Sequence, residues 1–353
     1  MSYTNGLDKP SEYFNTKLYS GNSSTQSITG VGFQPDLVWI KSRTGAVDHD
    51  WVDSVRGVNK AIASNTTSTE GSFGTNYTID SFDSDGFTLH NALYNNASGS
   101  NYASWSWLAS GTGVSNTQGS IASTVSANTT SGFSIVSYTG TGATATVGHG
   151  LGVARSMIIF KNRDAVQNWV TYHSSLGGTK AVFLDNTDAQ ATSSSYFNNT
   201  SPTSSLFYIG ASGDSNGNGH NMIAYCFAEK KGFSKFGSYT GNGSTDGTFV
   251  YTGFKPAFLI IKRSSSTGNW ELFDNKRDID NTVGHFLEAN TTGAESDLSA
   301  SHTPLDFLSN GFKLRNSSLT GNTNINLSGS TYIFMAFAES PFTTSTGIPT
   351  TAR

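Results

Sequence analysis

The sequence predicts an all-β protein made of three tandem β-sandwich, jelly-roll-like domains. Two observations carry that prediction. Apolar runs are short, rich in Val, Ile, Phe, Tyr and Trp, and separated by Gly, Asn, Asp and Ser clusters, with no sustained amphipathic helical period. The same series of runs then occurs three times along the chain.

Each unit opens on a tyrosine-glycine signature: "LYSGNSS" at Tyr19, "SYTGTGA" at Tyr138 and "SYTGNGS" at Tyr239. An apolar run follows and closes on a lysine, in "LVWIKSR" (Lys41), "SMIIFKNR" (Lys161) and "AFLIIKRS" (Lys262). A tryptophan comes next, and Trp51, Trp169 and Trp270 align if a small gap is allowed. Polar loops then lead to strands around Phe87, Phe207 and Phe312. The final strands, "YASWSWLA", "MIAYCFAE" and "YIFMAFAE", align without a gap. Alternation in the first puts Tyr102, Ser104 and Ser106 on one face and Trp105 and Trp107 on the other. The domains are therefore set at 1–110, 133–231 and 232–342, with 111–132 a polar connector and 343–353 a loose tail. They are expected in series, each burying its aromatics between its own two sheets.

Composition narrows the function. Charged residues are only 13% of the chain, and Gly, Ser, Thr and Asn replace them, as on many extracellular and virion surfaces. Net charge is −4 with scattered basic residues, so no strip of lysine and arginine can track a phosphate backbone and no nucleic-acid partner is expected. No apolar stretch is long enough to span a bilayer, so no membrane insertion is expected. The opening "MSYTNGLDKPSEYF" lacks the basic end and apolar core of a secretory signal, and Cys226 is the single cysteine. A hydroxyl-rich surface with neither signal nor disulfides points to a protein made in a cytoplasm that works outside it.

The repeat also sorts the tempting motifs. "SFDSDGFTL" offers Asp83 and Asp85, but the third unit has Asn310 at the second position, so the pair reads as an Asx-Gly turn feeding a strand. "DSNGNGHNMIAY" puts Asp214, Asn216, Asn218 and Gly219 at the first ligand positions of a calcium loop, yet Tyr225 stands where the bidentate glutamate belongs. No metal site and no cofactor are expected. His49, Asp50 and Ser54 invite an acyl-transfer reading, with Asp53, His173 and Asp274 at roughly matching positions if a small gap is allowed, but the chain has no G-x-S-x-G elbow. Asp48 with Asp50, and Asp278 with Asp280, are paired acids on expected loops, and a glycosidase needs two carboxylates at a defined separation. Lys41, Arg43 and Trp51, with their equivalents, fit either sugar recognition beside an aromatic or a lysine stem lying over a core tryptophan.

Together, "GFQPDLVWIKSR", "DSVRG", "SFDSDGFTL", "VSYTGTGATATVGHGLG", "NWVTYHSSLG", "YIGASGDSNGNGHNMIAYCFAE" and "FGSYTGNGSTDGTFVYTGFKPAFLIIKR" resemble a family of tail-fibre-like bacteriophage virion proteins common among marine phages. The likeness covers nearly the whole chain and implies a place in the virion rather than a particular activity, with no catalytic motif to carry over. Tail fibres generally begin with a segment that docks on the tail, whereas the first repeat here starts almost at once. A fibre tip, an accessory fibre and a capsid-surface fibre therefore stand on equal footing.

The resulting expectation is a non-enzymatic virion structural protein, a tail fibre or spike component that contacts host-surface glycans. The alternatives are a capsid-surface decoration protein without a ligand and a polysaccharide depolymerase. Low-charge sheet edges that need covering point to a homotrimer, joined to other virion proteins. If shared residues build the fold, a ligand is read by the loops that differ, at 65–80, 187–204 and 290–306. Within them Tyr77, Tyr196 and Phe197 are the aromatics for stacking on a sugar, and Asp297 and His302 the hydrogen-bonding groups.

Overall fold

The final strand of each unit lies inside its sheet, hydrogen-bonded on both sides. In the first unit Asn101–Trp107 pairs with Phe14–Ser20 and with Leu37–Ser42, and the sheet continues through Asp50–Asp53, Lys60–Ala63 and Gly71–Ser72. The third unit repeats this six-stranded order with Ser234–Thr240, Thr331–Pro341, Phe254–Arg263, Trp270–Asp274, His285–Glu288 and Ser296–Asp297. These features come from a computed structural model that describes residues 6–72, 78–91, 94–298, 304–315 and 325–350. Among the described residues the strands pair antiparallel, with one isolated parallel bridge between Ile121 and Val147, and each large sheet is covered by a small one, such as Gln26–Thr29 with Gly86–Leu89 and Ile79–Asp83. The protein is thus all-β with sandwich-like units.

Segment 111–132, read above as a connector, supplies two strands instead. Val114–Asn116 and Ser123–Asn128 extend the second sheet to eight strands, pairing onto Phe133–Thr139. Its polar composition hid them, since Val125 is among the few apolar side chains it contributes to the core.

The large sheets are buried on both faces, and this decides the architecture. Val38 and Ile40 point to the first unit's own small sheet, joining Ile28, Phe87 and Tyr102. Leu37 and Trp39 point the other way, into a core shared by all three units. The equivalent pairs Met157 and Ile159, and Phe258 and Ile260, do the same. Trp107 shows how close the units come: its ring centroid lies 6.2 Å from Phe227 and 6.0 and 5.8 Å from Phe258 and Phe337. The tryptophans therefore fill a common centre and not the space between each unit's two sheets, which corrects the expectation of three separate cores in series. Strands buried on both faces read as continuous apolar runs, and the small buried Ser104 and Ser106 let the first unit's last strand sit there too.

Three seams close this pseudo-threefold arrangement, and each repeats one device. Lys41 Nζ donates to the Val47 carbonyl of its own unit (2.7 Å) and to Thr292 of the third (2.8 Å). Lys161 donates to Gln167 (2.5 Å) and to Thr67 of the first unit (2.9 Å). Lys262 donates to Gly268 (2.5 Å) and to Thr187 of the second (2.9 Å). Burial pushes each ammonium down to about 8. Strand register also shows that no gap is needed between the units, because His49, not Trp51, occupies the place of Trp169 and Trp270. Their backbone amides donate alike to Asn65, Asp185 and Asn290.

Candidate functional site

The lysine, arginine and tryptophan set belongs to the seams. Arg43 clasps Glu295 of the third unit and Arg163 clasps Glu70 of the first, each through two guanidinium nitrogens. Behind them Arg56 pairs with Asp53 and Arg277 with Asp274, all four side chains being buried. Tyr225 donates its hydroxyl to Asp53 (2.8 Å), and Trp105 its indole N–H to Asp274 (3.1 Å), each across a seam. Burial works to raise Glu70, yet Arg163 and Arg56 together hold its carboxyl below the usual range. The third seam replaces these charged pairs with neutral residues, His173, Leu176, Gln190 and Ser264, and keeps Lys262 on Thr187, His173 Nε2 against the Phe334 carbonyl (3.2 Å) and the backbone bond from Gln190 to Ser264 (2.9 Å).

The sequence motifs resolve as architecture. Asp85 accepts the amides of Gly30 (2.9 Å) and Gly32 (2.7 Å), while Asp83 accepts from the hydroxyls of Ser81 and Thr88. Asn216 of the calcium-like loop is buried; it accepts from Thr141 N and donates to Ala143 and Gly210 carbonyls. Asn96 and Asn326 hold the equivalent loops, accepting from Asn22 N and Asn242 N. These asparagines lock the tyrosine-glycine signature, where a Cβ on Gly21, Gly140 or Gly241 would lie 2.2, 2.2 or 2.4 Å from a backbone carbonyl oxygen. Among the described residues no group of three His, Cys, Asp or Glu could hold a metal ion.

The His49 grouping does not converge on Ser54. His49 Nδ1 accepts from the Trp39 indole (3.2 Å) and Nε2 meets the Thr291 carbonyl (3.1 Å), while Ser54 donates to Gly111. Burial, then Lys41, keeps His49 well below the usual imidazole range. Burial lifts Asp50 to about 6, and its carboxylate is engaged by Asn95.

The loops nominated for ligand reading are largely committed elsewhere. Thr67, Thr187 and Thr292 supply the seam carbonyls, and Glu70 and Glu295 the seam carboxylates. Phe197 is 2% exposed, packed 5.7 Å from both Phe160 and Tyr172, so it belongs to the second unit's core and is no stacking platform. Tyr196 is half-buried against Phe183 (5.7 Å). Asp297 lies in the third unit, exposed, with its carboxylate 3.5 Å from His285 Nε2. Tyr77 and His302 fall outside the described residues. Of the three nominated residues that are described, Phe197 is core, Tyr196 packs on it, and Asp297 lies in another unit.

The third unit departs from the repeat in one place that makes a cavity. "RGVNK" in the first unit and "LGGTK" in the second become "RDIDNTVGH", four residues longer, from Arg277 to His285. The longer loop walls a cavity of about 400 Å³ with Asn275, Phe307, Leu308 and Lys255. Asp278 fixes it by accepting the amides of Gly284 (3.0 Å) and His285 (2.8 Å), and His285 Nδ1 (2.6 Å). Asn281 exchanges two hydrogen bonds with the backbone of Phe307. At the other edge of the same three-stranded sheet, across Gly311–Leu314 from the cavity residues Phe307 and Leu308, runs Phe249–Tyr251, where Phe249 and Tyr251 are 44% and 59% exposed on one face while Val250 points inward. Phe342, another exposed aromatic, links the two: it donates its amide to Gly253 (3.1 Å), two residues beyond Tyr251, and accepts from the amide of Thr350, a cavity residue. Sequence reasoning missed this site, although the four-residue insertion was its signal.

The fold and its seams define a class: a single-chain, pseudo-threefold assembly of β-sandwich units around one core. The family Domain of unknown function (DUF7483) matches residues 9–341, and the chain belongs to that family. No curated protein and no solved structure matches the chain. Among the described residues, no helix is long and apolar enough to cross a membrane.

Proposed function

We propose that the protein is a non-enzymatic structural component of a bacteriophage virion, a tail fibre or spike element that contacts host-surface glycans. The observation that carries the glycan contact is the paired exposed aromatics, Phe249 and Tyr251, on one edge of the small sheet whose other edge lines a unit-specific cavity. Successive same-face side chains on a strand stand about 7 Å apart, so two rings can each offer an apolar face to a sugar. The place in the virion rests on the repeat's resemblance to virion proteins and on the low-charge surface.

A homotrimer joined to other virion proteins stays part of this reading, because low-charge strands such as Phe249–Tyr251 are still sheet edges when each large sheet has packed its face against the other two units. Immuno-electron microscopy of intact particles tests the location: label at tail tips supports a fibre, label over the capsid supports a decoration protein, and unlabelled particles refute both. Glycan-array binding that disappears in Phe249→Ser/Tyr251→Ser supports the contact. Release of reducing sugar from host polysaccharide would replace this reading with a depolymerase.

A further inference from the structure

We infer that the third unit's cavity binds a neutral mono- or disaccharide, the terminal portion of a glycan whose remainder runs toward the aromatic edge. This rests on the glycan-contact reading and assigns its specificity to one place. Three features of the cavity lead there.

The first is an unmet hydrogen bond. Asn275 lines the cavity, is only 8% exposed, and its Oδ1 accepts no hydrogen bond among the described residues. A buried carbonyl oxygen left in that state costs free energy until a donor arrives. A sugar hydroxyl is such a donor. Asp280 at the exposed rim offers a second acceptor.

The second is charge. The lining cation, Lys255, is already paired with Glu339 at 2.7 Å, and Asp278 is saturated by two amides and an imidazole. What the wall leaves on offer are acceptors, which favours a hydroxyl-rich neutral ligand over an anion. The third is shape. Ile279, Val283, Phe307 and Leu308 give one apolar side, the complement of the C–H face of a pyranose ring. A volume of about 400 Å³ lies within the roughly 300–1,000 Å³ of small-molecule sites. The inserted loop that builds this wall occurs only in the third unit, so the first two units carry no counterpart of it.

The test uses the whole chain and NMR titration with glucose, galactose, mannose, rhamnose, N-acetylglucosamine, lactose and maltose. At least one should bind and shift the amides of Ile279 and Leu308. Ile279→Glu, at a side chain 78% exposed, should leave melting unchanged and weaken that binding about tenfold or more. Asn275→Ala should weaken it as well. If a sugar binds but ignores both substitutions and is lost in Phe249→Ser/Tyr251→Ser, the glycan reading stands and the cavity site falls. If no sugar in the panel binds, both fall.

Discussion

Replacing Arg56 with leucine, the residue the second unit has at that place, should destabilise the protein by about 3 kcal/mol. Arg56 is 5% exposed and its guanidinium reaches Asp53, the Trp51 and Lys60 carbonyls (each 2.8 Å) and Glu70 (3.2 Å). Without it the fully buried Asp53 carboxylate keeps only the amides of residues 55 and 56 and the Tyr225 hydroxyl. Removing one partner of a buried pair costs about 3–5 kcal/mol, and three surviving donors place the loss at the lower end. Transplanting the complete neutral set, Asp53→His, Arg56→Leu, Glu70→Gln and Arg163→Ser, removes the stranded charges together. That variant should lie within about 1 kcal/mol of the parent, because well-packed neutral replacements of buried ion pairs are often neutral. Urea unfolding followed by tryptophan fluorescence measures both, since all six tryptophans are buried. A loss under about 1 kcal/mol for Arg56→Leu, or a transplant worse than the single change, would refute the seam argument.

Trp107→Ala should cost about 3–5 kcal/mol and loosen all three units in one transition; a biphasic melt with one unit lost early would mean separate cores. Arg155 is 2% exposed, its three guanidinium nitrogens have no hydrogen-bond partner among the described residues, and burial pushes it down to about 10, so Arg155→Met should raise stability by about 1–4 kcal/mol. A destabilised variant would show that the guanidinium holds an acceptor in solution. His173 is fully buried with its pKa pushed to about 4 by burial, so the unfolded chain takes up a proton first, near 6.5. Its contribution is present above pH 6.5 and lost as pH falls through about 4. His173→Gln should therefore gain on the parent by up to about 3 kcal/mol across that window, whereas parallel stability curves would contradict the assignment.

Much of the fold was legible because both the strands and the repeat are written in side chains. The seams were not, because their shared contacts use backbone carbonyls at Thr67, Thr187 and Thr292, which any residue supplies. The loops containing them differ in side chain and so read as free to vary. The recurring "NTTSTE" and "NTTGAE" were the missed signal, marking Glu70 and Glu295. Trp51 was matched to Trp169 and Trp270 by residue type, while strand register gives that place to His49, whose ring reaches across the seam to Thr291 as those indoles reach Ala63 and Phe183. Phe197 looked like a loop aromatic because its short helix, Ser194–Phe197, is too brief to show a period.

Covalent linkage of the three units changes what dilution does. A trimer of separate chains exists only while its protomers are concentrated enough to find one another, and its stability is inseparable from that concentration. Here each seam closes within one molecule, at an effective concentration set by the connecting segments. The assembly therefore persists at vanishing concentration. Linkage also releases the seams from being copies. Three identical chains would have to place the same residues at every contact, whereas one chain can add arginine–carboxylate pairs to two seams and leave them out of the third, and can lengthen a single loop while the other two stay short.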